Sequence, residues 1–328
     1  MKRIPITVLT GFLGSGKTTL INKILTQAQK EGLKIAIIEN ELGSIGIDKN
    51  LITAGAPLGS IQGENIIQVA QGCVCCTVRG DLAPALRELI QSGIEIDHII
   101  LETTGIADPL PIMQTIVTDP SVRLQFELCN VVTVIDAVNY SHTQEISQTN
   151  SRQIALADIV YISKLDGVLP KVQSEVEEYI AHKNPYALKI VSNSSLEIAR
   201  LFESSSQALS RVSFAQTIGV SDIERKHDTE ISTHILRSEK PLRNARTHAW
   251  LTSISHALEQ NLLRIKGFIY TNDGMYMVNC VRDSVVYELV DKSVANGHAN
   301  TELVIVAYKL NKEMLTIIEQ GFNDLDEK

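Results

Sequence analysis

Ile4-Pro5-Ile6-Thr7-Val8-Leu9-Thr10-Gly11-Phe12-Leu13-Gly14-Ser15-Gly16-Lys17-Thr18-Thr19-Leu20 decides the fold. Its first half is an apolar run that reads as a strand buried on both faces. Its second half, from Gly11 to Thr18, has the spacing G-x-x-x-x-G-K-[ST]. The glycines let successive backbone N–H groups turn toward one centre, and the positive end of the helix that follows reinforces them, which makes a cradle for phosphate. In such a loop Lys17 reaches the terminal phosphates and the Thr18 hydroxyl ligates Mg²⁺. Gly11, Gly14, Ser15, Gly16 and Thr19 complete the nucleotide-binding set. A ligand-free glycine turn would have no reason to follow a buried strand and open a helix, so the phosphate reading is preferred.

Outward from this loop, short apolar runs at 34–39, 98–102, 130–136 and 158–164 alternate with helical spacings at 17–29, 81–92 and 171–182. Such alternation predicts an α/β fold, a parallel sheet flanked by helices. Polar or acidic residues cluster where the strands stop, the edge at which open α/β sheets bind ligands. Ser-rich and then charged sequence follows, and the rhythm changes. Strands are expected at 230–237, 267–271, 275–279, 285–289 and 301–308, with helices at 244–263 and 312–320. The expected organisation is a P-loop domain over 1–205, a linker over 206–229 and a smaller C-terminal α+β domain over 230–328.

The 328 residues suffice for two cores. A formal net charge of −8, with no long Lys/Arg run, excludes a nucleic-acid partner, which needs a concentrated basic face. Met1-Lys2-Arg3 ahead of an apolar stretch looks like a signal peptide, but that stretch contains Pro5, lacks a small-residue cleavage site and runs into the phosphate loop. No segment approaches the about 18 uninterrupted apolar residues that span a membrane. A cytoplasmic protein is expected. Five cysteines, three of them crowded together, do not make a disulfide framework for a chain this long.

Three further segments suit a nucleotide hydrolase. Ile99-Ile100-Leu101-Glu102 places a carboxylate at a strand end, near Mg²⁺ or its waters, and Gly105 follows where an N–H can sense the γ-phosphate. Ser163-Lys164-Leu165-Asp166 resembles the guanine-reading tetrad Asn-Lys-x-Asp. Asp166 can accept two hydrogen bonds that guanine offers and adenine does not, while the Lys164 stem lies along the base. Ser163 stands where Asn is usual, so the contact from that side chain is expected to be shortened or lost. Residues 39–48 form a strand end and glycine-bearing loop with Glu39, Glu41 and Asp48, suited to contact the γ-phosphate and to move when it departs.

Gly72-Cys73-Val74-Cys75-Cys76-Thr77 is the most unusual feature. Thiolates are soft ligands that select zinc, copper(I) and related ions. Three within four residues are too close for the paired C-x-x-C arms of a closed structural zinc site, so Cys73, Cys75 and Cys76 leave other ligands to a neighbouring loop. Glu39 is the first candidate. Cys129 and Cys280 read as core residues. None of the eight histidines forms a chelating pair near the cluster.

In this order, GFLGSGKTTL (11–20), ENELGSIGID (39–48), GCVCCTVRGDL (72–82), LETTGIADP (101–109) and SKLD (163–166) resemble the CobW-type metallochaperone P-loop GTPases, and within them the YjiA-like branch. Asn184-Pro185 and the run from Leu262 to Gly267 are similar to later landmarks of that family. The resemblance implies GTP, Mg²⁺ and Zn²⁺, or cobalt in zinc's place, with Lys17, Thr18 and Glu102 at the reacting phosphate. It implies that Lys164 and Asp166 read guanine and that Cys73, Cys75 and Cys76 form the metal motif. It also implies a client metalloprotein chosen by the C-terminal domain. Three departures stand out. Ser163 replaces Asn, the linker holds His227 alone instead of a His-rich tract, and Phe12 stands where some related ATPases carry a second P-loop lysine.

The expected chemistry is GTP hydrolysis by water, slow without a partner because no arginine finger is identified. Loss of the γ-phosphate would relax the 39–48 loop and release the metal. A nucleotide-dependent metal sensor and a small-molecule kinase are the alternatives, and monomer and homodimer both remain open.

Overall fold

The computed structural model describes residues 3–39, 66–70, 79–91, 93–105, 107–139, 148–191, 230–258, 260–290 and 300–326. The chain divides into two compact units. The first runs to residue 204 apart from Lys183–Tyr186, and the second takes those four residues and everything from 205.

In the first unit, strands β1 (Ile4–Gly11), β2 (Ile35–Glu39), β3 (Ile66–Ala70), β4 (His98–Glu102), β5 (Phe126–Asp136), β6 (Ile159–Ser163) and β7 (Leu188–Val191) form one sheet in the order β3-β2-β4-β1-β5-β6-β7. Every neighbouring pair is parallel. The helices are α1 (Lys17–Glu31), α2 (Arg79–Gln91), α3 (Leu110–Thr118), α4 (Pro120–Arg123), α5 (Gln148–Leu156) and α6 (Pro170–Lys183). The expected parallel α/β fold is therefore present.

The position of α1 follows from its spacing. Leu20, Ile21, Ile24, Leu25 and Ala28 share one buried face, which packs on Leu9, Ile37, Ile100, Val132 and Tyr161 of the sheet. Burying each such Leu or Ile contributes about 1.5–3 kcal/mol. The helix stops at Gly32, whose φ of 70° lets its N–H bond back to Ala28 and Gln29. On the second core, Ile154, Val176 and Ile180 from α5 and α6 pack with Ile135, Val160 and Ile162. With β1 central and its helix running to one side, the chain reverses beside β1, where a doubly wound sheet opens a crevice at its carboxyl edge.

The second unit carries β8 (Ile231–Ser238), α7 (Asn244–Leu258), β9 (Leu262–Thr271), β10 (Gly274–Val281), β11 (Ser284–Leu289), β12 (Thr301–Tyr308) and α8 (Lys312–Asn323). Its sheet, ordered β11-β10-β9-β12-β8, is antiparallel throughout. Leu251, Ile254, Ile318 and Phe322 of the two helices close over Ile265, Val278, Leu303 and Ile305. Asn311 caps α8 by accepting from Met314 N at 2.8 Å.

One sequence expectation fails here. The helix expected over 244–263 ends at Leu258, and Leu262 to Lys266 belong to β9. Leu262, Leu263 and Ile265 are all fully buried, and the backbone from Leu262 pairs with β12 and from Arg264 with β10. Among the described residues no helix is long and apolar enough to cross a membrane.

Candidate nucleotide site

The phosphate loop leaves the sheet where β1 is held on both sides. Gly11 is the last residue of β1 and pairs with Val134 of β5. With φ at 138°, a Cβ there would lie 2.4 Å from Val134 O, so only glycine fits. Gly14 (φ 74°) and Gly16 (φ 99°) supply the other left-handed turns. Lys17 opens α1, is 8 % exposed, and donates from Nζ to the carbonyls of Gly11 (2.9 Å) and Phe12 (3.3 Å). Thr18 and Thr19 follow in the first turn, where Gly16 provides no side-chain cap. Ser15 is 1 % exposed and its Oγ has no hydrogen-bond partner. An uncapped helix start beside a buried, unpartnered hydroxyl fits a bound phosphate, whose oxygens supply the acceptors these groups lack, and Thr18 in the same first turn would hold Mg²⁺.

A second strand end presses on this loop. Glu102, half-buried, closes β4 in register with Leu9 of β1 and Glu39 of β2. Thr103 extends the pairing, donating N–H to Leu9 O at 2.9 Å and its hydroxyl to Thr10 Oγ1 at 2.9 Å. This brings Gly105 so close to the phosphate loop that a Cβ would lie 2.4 Å from Leu13 N. Gln153 of α5, fully buried, secures the same segment by donating to Ala107 O (3.0 Å) and Gly105 O (3.3 Å). Arg152 pairs with Asp108 at 2.7 Å.

A third strand end forms the wall of a cavity of about 310 Å³, lined by Phe12, Leu13, Gly14, Ser15, Val134, Ile135, Asp136, Asn139, Asn150 and Lys164. Ser163 ends β6, and its hydroxyl reaches Ser15 O at 2.5 Å and Ile135 O at 3.1 Å. Ser163, standing where Asn is usual, thus spends its hydroxyl on backbone carbonyls of the Gly11–Thr18 turn and of β5. Lys164 has φ 55°, and its Nζ donates to Asp136 Oδ2 at 2.7 Å. Burial works to raise the Asp136 carboxyl, but hydrogen bonds from Lys164 and Asn139, with the Val138 and Asn139 amides, hold it below its ordinary value. Asp166 is exposed on the turn that follows and is not among the lining residues.

The structure therefore gathers Gly11 to Thr19, Glu102, Gly105 and Lys164 at one sheet edge. Cys73, Cys75 and Cys76 lie outside the described residues, as do residues 40–48 and His227. β3 ends at Ala70 in register with Glu39 at the end of β2. Among the described residues no three His, Cys, Asp or Glu side chains group as a metal site. Asp136, Asn139, Asn150 and Gln153 were missed in the sequence. Asp136 carries a signal, an acid closing an apolar strand, whereas the burial of Gln153 leaves no trace in local spacing.

The family described as CobW/HypB/UreG, nucleotide-binding domain, matches residues 5–191. The cobalamin synthesis protein cobW C-terminal domain matches residues 231–323. A zinc chaperone named CobW from Pseudomonas aeruginosa is 33 % identical over 60 % of this chain, and the match spans 58 % of that protein. The zinc chaperone YjiA of Escherichia coli is 28 % identical over 82 % of this chain and 83 % of its own. The crystal structure of the Zn(II)-bound YjiA GTPase from E. coli covers 100 % of both chains with a TM-score of 0.64 at 22 % identity, a likeness of fold.

Proposed function

The chain belongs to the CobW/HypB/UreG family, and from that membership we propose that it is a GTP-hydrolysing carrier of a transition-metal ion, zinc above all. The observation that supports this most is the convergence of the phosphate loop, the Glu102–Gly105 segment and Lys164 on one sheet edge, with Ser163 tying the loop to the strand that precedes Lys164. Lys17 and the first amides of α1 hold the phosphates, and Thr18 ligates Mg²⁺, which neutralises phosphate charge. Glu102 orders the magnesium's waters. Lys164 and Asp166 contact the guanine, which requires the turn bearing Asp166 to fold over the base.

The metal is cargo. Cys73, Cys75 and Cys76 bind it as thiolates, with Glu39 as a further ligand. Departure of the γ-phosphate relaxes the 39–48 loop and with it the hold of the cysteines on the metal. Relatives named zinc chaperones, and a zinc-regulated GTPase metalloprotein activator of Schizosaccharomyces pombe, support delivery to a client metalloprotein. The C-terminal domain (230–328) recognises that client, in a cytoplasm that keeps thiols reduced.

The test is zinc affinity of the reduced protein, by competition with a chromophoric chelator, with Mg·GTP analogue or Mg·GDP, repeated on Cys75→Ala. Tight binding that changes at least tenfold between the nucleotides and is lost in the variant is expected. Affinity indifferent to both nucleotide and Cys75 would sink the reading.

A further inference from the structure

We propose that Asp136 is a positioning residue for guanine-nucleotide binding, an acidic anchor that holds Lys164 along the wall of the nucleotide cavity. This inference rests on the nucleotide reading above and deepens it by adding a residue to the base-binding apparatus.

Three independent observations carry it. The first is the bonding of the carboxylate. Asp136 closes β5, its side chain is 8 % exposed, and both oxygens are engaged. Oδ1 accepts from the amides of Val138 (2.9 Å) and Asn139 (3.3 Å), which fixes the turn leaving the strand. Oδ2 accepts from Asn139 Nδ2 (2.8 Å) and from Lys164 Nζ (2.7 Å). A carboxylate clamped to its own backbone is a rigid point from which to hold a flexible lysine, whose four-carbon stem otherwise samples many rotamers.

The second is the backbone of Lys164. Its φ of 55° is one of three positive values among the described residues other than glycine. A left-handed lysine persists only where the surroundings over-determine it, and such residues cluster at ligand sites. Ser163, bonded to Ser15 O and Ile135 O, holds the residue before it, and Asp136 holds the side chain's end.

The third is charge. Asp136 and Lys164 line the same cavity as Phe12 to Ser15 of the phosphate loop. A lone carboxylate there would repel an anionic nucleotide, whereas the ion pair presents an apolar stem and a neutralised acid. Removing Lys164 should therefore expose the acid, and removing the acid should free the lysine, so the two effects cannot be independent.

The experiment is a double-mutant cycle read as Mg²⁺-dependent affinity for a fluorescent N-methylanthraniloyl GDP, on the full chain. Wild type, Asp136→Asn, Lys164→Met and the double variant are compared, with thermal unfolding as a check on folding. Each single change is expected to weaken binding about tenfold, and the double variant to bind at least as tightly as Lys164→Met alone, because the repelling acid goes with the lysine. Losses that multiply to about a hundredfold in the double variant would overturn the inference. If Asp136→Asn does not fold, Asp136→Glu, which keeps the charge but displaces it, takes its place in the cycle under the same criterion. A wild type that binds no guanine nucleotide would remove the nucleotide reading and this inference together. Tight wild-type binding with multiplying losses would remove the inference alone.

Discussion

The two edges of the first unit's sheet are made from the same strands and serve opposite ends. At the amino edge every polar group named here is paired within the protein. Lys34 N donates to Asp97 Oδ2 and Asp97 N returns to Lys34 O, both at 2.8 Å. Val131 N donates to Asp158 Oδ2 and Asp158 N to Val131 O, again at 2.8 Å. His98, which opens β4, is 2 % exposed and sits 2.8 Å from Thr7 Oγ1. At the carboxyl edge, four residues past the end of β1 and two past the end of β4, Ser15 Oγ and Thr104 Oγ1 are buried without partners, Lys164 is left-handed and Leu13 stands 79 % exposed. Both edges are bonded internally, but at the carboxyl edge the buried hydroxyls of Ser15 and Thr104 add hydrogen-bonding capacity that those bonds leave unmet. Unmet capacity costs stability and is kept where a ligand supplies it.

If that contrast holds, mutations at the carboxyl edge should damage binding and leave stability largely intact. The largest effect is expected for Lys17→Ala, with phosphate release from GTP falling about a hundredfold or more, because a charged donor aimed at the phosphates is lost. Its unfolding temperature should stay within a few degrees of wild type. A loss of turnover accompanied by global destabilisation would break the distinction between the edges.

The amino edge should respond to acid instead. Burial pushes His98 from its ordinary 6.5 down to about 4. Above pH 6.5 the ring is neutral folded or unfolded, so its full contribution to stability is present. Between 6.5 and 4 the unfolded chain takes up a proton that the folded one refuses, and stability falls with pH. From pH 7 to pH 5 the loss is about 2 kcal/mol from this residue. Urea midpoints at the two pH values, compared with those of His98→Gln, should show a steeper pH dependence in wild type. Parallel profiles would remove His98 as the cause.

A smaller effect sharpens the contrast at the carboxyl edge. Gly105→Ala places a Cβ against Leu13 N, so either the phosphate loop or the 103–108 segment must shift. Nucleotide affinity should fall about tenfold, with a stability cost below about 2 kcal/mol, measured by GDP titration and by urea unfolding of the same sample. An unchanged affinity would mean that the loop yields freely and is not held by its neighbour.

The strand–turn–helix unit around Gly11–Thr18 was legible because the strand before it and the helix after it are written in adjacent spacing. The parallel sheet was legible because its central strands carry apolar runs, Ile99–Leu101 in β4 and Ile159–Ile162 in β6. At the second unit the same logic misled. Leu262-Leu263-Arg264-Ile265 continues an amphipathic helical pattern in one dimension, yet pairing with β10 and β12 makes it a strand. Tertiary pairing outweighs a propensity of a few tenths of a kcal/mol per residue.

By itself, then, the sequence determined what is local: a glycine-rich turn between a buried strand and a helix, and the alternation that builds a parallel sheet. Only the tertiary structure decided which distant residues complete the site. Asp136 meets Lys164 across 28 residues, Gln153 reaches Gly105 across 48, and Ser163 reaches Ser15 across 148. Spacing along a chain encodes which face a side chain takes on its own element. Which carboxylate meets which lysine is settled only when strands from separate parts of the chain come to lie side by side.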